Sequence, residues 1–100
     1  MKRLTQKVWN AHQSWYYESL ILLEDGTKVK VQIRRNAYDF QSFAQVSFFD
    51  QTTFKWREVA ETPHPQMKCL NISYVQRGIT AKDFEEDEAL LLSEARHLIP

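Results

Sequence analysis

The stretch that most restricts the fold runs from Trp15 to Arg35, two β-rich runs that meet at Asp25-Gly26. Asp-Gly between such runs favours a two-residue type I′ turn, because both central residues must take positive φ. A turn on those two residues sets Leu22 opposite Val29, Leu20 opposite Val31 and Glu18 opposite Ile33. Side chains alternate across a strand, so Leu20, Leu22, Val29, Val31 and Ile33 are expected on the core face. Tyr17, Ile21, Leu23, Lys28, Lys30, Gln32 and Arg34 are expected on the other. A one-residue slip that drove Lys28, Lys30 and Arg34 inward would be costly, which argues that the register is well specified.

The remaining elements arrange themselves around this hairpin. Residues 1–14 fit either helical or strand spacing, and Val8-Trp9 followed by a turn-like His12-Gln13-Ser14 favours an added strand. Asn36 to Gln41 breaks the pattern, and a third long strand follows over Phe43–Phe49 with Ala44, Val46 and Phe48 on one face. A fourth strand is expected over Phe54–Ala60, joined by an odd-numbered loop that pairs Phe48 with Phe54 and Val46 with Trp56. Thr62-Pro63-His64-Pro65 stops that strand, since proline lacks the amide donor. Within Met67–Val75, Leu70, Ile72 and Tyr74 alternate as in a short edge strand.

The last element reads as a helix over about residues 81–98. Thr80 is its expected N-cap, with Asp83 as reciprocal partner and Ile79 and Phe84 spaced as a hydrophobic staple. Phe84, Leu91, Leu92, Ala95, Leu98 and Ile99 form one stripe, with Glu88 falling inside it and Leu90 outside. Arg96 and His97 are placed in the last turn, where they suit the helix dipole. The expected fold class is α+β: an antiparallel sheet of four or five strands, built as a meander of hairpins, against one C-terminal helix. One domain of 100 residues holds it, with the sheet over about 15–60, and the 43% apolar content suffices for a single core.

Net charge is zero but unevenly laid out. Residues 1–57 carry nine Lys/Arg against five Asp/Glu (+4), and residues 58–100 carry four against eight (−4). Either the two parts face each other and partly cancel, or the molecule is polar enough to orient a charged partner. The lone Cys69 excludes an internal disulfide framework and fits a reducing cytoplasm. No apolar signal segment follows the basic start, and the longest aliphatic run, Leu20–Leu23, is too short to span a bilayer.

No catalytic constellation stands out. His12, His64 and His97 are scattered, without the short spacing of a metal site. With only Gly26 and Gly78, no phosphate-cradling loop can form. A Cys69–His64 pair is weaker than the ordinary reading of Cys69 as a small buried residue. The carboxylates of residues 83–88 read as readily as a solvated helix start as an acid/base pair. No enzyme, cofactor or metal is expected.

Two surfaces are the better leads. Arg35, Tyr38, Asp39 and Phe40 make the densest polar-aromatic segment, and Leu90 lies off the helix stripe; together they are the candidate contacts for a protein partner. Tyr17, Lys28, Lys30 and Arg34 share the outer hairpin face and are the alternative, a single-stranded nucleic-acid surface. The zero net charge argues against an independent nucleic-acid binder. The expectation is a small non-enzymatic binding or regulatory module, a size class that includes phage-encoded inhibitors and accessory proteins. Self-association through a sheet edge is an included variant.

Overall fold

The computed structural model describes residues 1–36, 42–59, 69–70 and 80–99. Five strands, β1 (Lys2–Ala11), β2 (Ser14–Leu22), β3 (Lys28–Asn36), β4 (Ser42–Asp50) and β5 (Lys55–Glu58), form an antiparallel meander in sequence order. A two-residue strand, β6 (Cys69–Leu70), pairs with Ser42–Phe43 of β4. One helix, α1 (Ala81–Ala95), covers one face of the sheet, giving an α+β domain. No described helix is long and apolar enough to cross a membrane.

Of the two spacings that residues 1–14 fit, the chain takes the strand. β1 pairs with β2 down to Ala11 opposite Ser14. His12 (φ 51°) and Gln13 (φ 61°) make the two-residue loop, both at the positive φ that a type I′ turn demands. A register shift between Arg3 and Thr5 marks a bulge near the start of β1. Bulges and charged side chains are common ways of blunting an edge strand, and β1 carries both.

The second turn corrects the sequence reading. Leu22 pairs with Lys28, Ile21 with Val29, Ser19 with Val31 and Tyr17 with Ile33. The loop therefore has three residues, not two. Gly26 N–H donates to the Leu23 carbonyl at 3.0 Å, Leu23 N–H donates to the Thr27 carbonyl at 2.9 Å, and Gly26 alone takes positive φ, at 90°. That is the pattern of a type I turn closed by a glycine bulge. Asp25 Oδ1 accepts the Thr27 N–H at 2.9 Å and reinforces it.

The consequence is that β2 presents its odd positions to the core. Tyr17, Ser19, Ile21 and Leu23 are buried, while Leu20 and Leu22 join Lys28, Lys30, Gln32 and Arg34 on the outer face. Val29, Val31 and Ile33 are buried as expected. Leu20–Leu23 is apolar at odd and even positions alike, so it cannot choose a face. The neighbouring residues do: the expected register would have driven Glu18 inward, and a buried unpaired carboxylate costs far more than a methylene gains.

The β4–β5 connection differs in the same way. Asp50 pairs with Lys55 and Phe48 with Arg57, so the loop holds four residues, Gln51–Phe54, rather than an odd number. Arg57 opposite Phe48 is tolerable because the strand end is exposed and the guanidinium stands over the Phe48 ring, 5.8 Å from its centroid.

The helix begins as its sequence indicates. Thr80 Oγ1 accepts the Asp83 N–H (3.3 Å) and Asp83 Oδ2 accepts the Thr80 N–H (3.0 Å), a complete capping box. Ile79 lies outside the described residues. The helix ends at Ala95 rather than near 98, so Arg96 is its C-cap and His97 lies beyond it. Leu98 and Ile99 still pack against the core.

The observed register makes a direct prediction. Ile21→Ala should cost about 2–5 kcal/mol in denaturant unfolding, whereas Leu20→Ala, on the outer face, should cost well under half as much. Equal losses would contradict the three-residue loop.

Candidate functional site

The buried side of the sheet contains two ion-pair sites that sequence reading assigned elsewhere. Arg35, a candidate partner contact, is 0% exposed; its Nη2 donates to Asp87 Oδ2, also fully buried, and its guanidinium lies 4.5 Å from the Phe84 ring centroid. Arg35 is thus part of the frame, not of a binding surface. Asp87 sits beside Glu88, the residue that fell inside the apolar stripe, and both are buried.

Glu88 is held from three strand positions. Its Oε2 accepts from Tyr17 Oη at 2.6 Å and from Ser19 Oγ, and its Oε1 accepts from Arg3 Nη2. Gln6 Nε2 donates to Tyr17 Oη at 3.2 Å, and Arg3 Nη1 reaches Glu85 at 3.3 Å. Tyr17, expected outward with the cations, instead stacks on Phe84 at 5.3 Å under the helix. Burial, and secondarily its bond to Glu88, pushes its phenol up from the ordinary tyrosine value. These pairs join cations of the basic first part of the chain to carboxylates of the acidic second part, while Arg96 to Glu24 at 3.0 Å ties the two parts with the charges reversed. Partial cancellation is therefore realised across the sheet–helix contact.

Among the described residues, the one helix packs on the inner face and none lies over the outer face. Trp9 and Tyr16 stack across β1 and β2 at 5.3 Å, with the Lys7 ammonium 4.7 Å from the Trp9 ring. A shallow concavity of about 560 Å³ runs beside them, walled by Glu18, Gln32, Arg34, Gln45 and Glu58. Gln45 donates to Glu58 across its floor. By register this face carries Lys2, Lys7, Lys28, Lys30 and Arg34 against Glu18 and Glu58. It is the basic side of a chain whose formal net charge is zero.

At the far end of this face lies a feature that the sequence reading missed. Phe49, Phe54 and Trp56 form an edge-to-face cluster, with centroids 6.5 Å (Phe49–Phe54) and 5.5 Å (Phe49–Trp56) apart. Lys30 stands over Trp56 at 4.4 Å, and Lys28 lies on the same face of β3, opposite Leu22. Phe54 closes the four-residue loop at φ 55° and is 77% exposed. Asp50 organises the loop by accepting the Thr52 N–H at 2.9 Å, a bond that holds its carboxyl below the usual aspartate range. The available signal was a loop between two aromatic strands with no Gly or Asn at its end, which leaves an aromatic residue in the left-handed region.

Leu90 is 53% exposed on the outward ridge of α1, with Glu86 and Glu94 one turn to either side. Tyr38, Asp39 and Phe40 lie outside the described residues. So the structure keeps Leu90, Lys28, Lys30 and Arg34 on the surface and withdraws Arg35 and Tyr17. Among the described residues no group of three or more His, Cys, Asp or Glu is placed to hold a metal ion.

Two outcomes follow from the buried pairs. Asp87→Ala should cost about 3–5 kcal/mol by stranding the Arg35 charge, and Arg35→Met combined with Asp87→Leu should recover most of it. The folded state holds the Tyr17 proton more tightly than the unfolded chain does. Stability should therefore be full below about pH 10 and fall as pH rises through the raised Tyr17 value, a slope that Tyr17→Phe flattens in alkaline unfolding titrations. No family model, curated protein or solved structure matches the chain.

Proposed function

We propose that this chain is a non-enzymatic binding module that acts through protein–protein contact, with the β4–β5 hairpin tip as its docking point. One observation carries the reading: a phenylalanine held in left-handed backbone with its ring in water. Left-handed φ costs a non-glycine residue about 1–2 kcal/mol, and exposing a phenyl ring forgoes further burial energy. The edge-to-face contact with Phe49 uses only part of the ring, and a partner pocket that covered the rest would gain its burial energy. Trp56, 38% exposed beside it, extends the anchor, and aromatic anchors dominate protein interfaces. The single Cys69 favours a reducing cytoplasm as the setting.

The nucleic-acid alternative has less support. Tyr17 is buried, Trp9 already holds Tyr16 and Lys7, and Trp56 already holds Lys30. Bases would have to displace those neighbours in order to stack.

The test separates stability from binding. Phe54→Asn, which suits left-handed φ, should leave thermal stability unchanged or raise it by up to about 1 kcal/mol. The same variant should lose whatever protein the immobilised chain retains, while Arg34→Ala keeps it. A loss of stability beyond that range, or unchanged retention, would make Phe54 an ordinary structural residue.

A further inference from the structure

Two exposed features of this molecule carry complementary chemistry. On one side, Phe54 is 77% exposed and Trp56 38% exposed, with Lys30 on the Trp56 ring and Lys28 two residues along β3 on the same face. On the other side, Leu90 stands in water on a helix ridge with Glu86 and Glu94 one turn to each side. Lys82 is on the same ridge, two turns from Leu90, so the carboxylates are the nearer charges. An aromatic anchor flanked by ammonium groups faces one way, and an aliphatic spot flanked by carboxylates faces another.

We infer that the partner of the hairpin tip is a second copy of this chain, bound through its helix ridge. The inference rests on the docking role of the tip and names what docks there. Phe54 and Trp56 of one copy would cover Leu90 of the next, and Lys28 and Lys30 would meet Glu86 and Glu94. Each apolar patch is too small to hold two molecules by itself, and the flanking charges fix which surface meets which. The two surfaces differ and lie on different elements, so the contact is head-to-tail. It leaves one tip and one ridge open at the ends of each dimer and propagates into a ring or an open chain. The zero net charge suits this arrangement, since copies carry no overall repulsion and their unlike faces attract.

The decisive experiment mixes two one-sided variants. In sedimentation velocity, the wild-type chain should show an average mass that rises with concentration and falls when salt screens the charges. Phe54→Asp and Leu90→Lys should each be monomeric alone, with unchanged far-UV circular dichroism because both positions are exposed. Mixed together, the intact tip of one and the intact ridge of the other should restore one contact, giving dimers and nothing larger. Monomeric wild type at every concentration, single variants that associate like wild type, or a mixture that stays monomeric would each overturn the inference. If self-association is absent while a different protein is still retained through Phe54, the docking reading stands and its assignment to a second copy falls.

Discussion

Two adjacent carboxylates on the buried side of one helix determine how this domain is put together. Asp87 and Glu88 would be prohibitively costly under the sheet without partners, and the sheet supplies Arg35 for one and Tyr17, Ser19 and Arg3 for the other. A purely apolar stripe could slide or rotate over Val29, Val31 and Val46 with little penalty. Two charges with separate, geometrically distinct partners cannot. They fix the helix both along and across the strands, and Phe84, stacked between Tyr17 and Arg35, completes the seat.

The same constraint explains where the sequence was legible. The α+β class, the meander and the Thr80–Asp83 cap rest on strong local signals, whereas residues 2–11 fit helical spacing as well as the strand they form. The register of β2 was only partly local, with Glu18 the one nearby residue that disfavours the expected pairing. Leu20–Leu23 offers apolar side chains to both faces, and Asp25-Gly26 serves a three-residue loop as readily as a two-residue one. The other half of the constraint is that Tyr17 and Ser19 are bonded inside by Glu88, a residue about seventy positions away. Glu88 was visible as an oddity in the stripe, but its partners were not.

The candidate surfaces moved for related reasons. Arg35 looked like a recognition residue because a buried arginine is rare unless paired, and its pair is on another element. Phe54 looked like the first residue of a strand because the odd-numbered loop kept the core dry on paper. The four-residue loop keeps it dry as well, by letting Arg57 lie over an exposed strand end. That choice turns an ordinary strand residue into a ring held out in solvent.

The ties between helix and sheet also bear on how the chain reaches this state. They join residues 52 to 85 positions apart and draw on three strands at once. Closing such loops is entropically slow, and none of them repays the search until the strands are already side by side. The helix is therefore a late arrival that locks an assembled scaffold. Until it lands, the inner surface of the sheet is bare, so crowding at that moment is the stage at which this protein is most prone to aggregate.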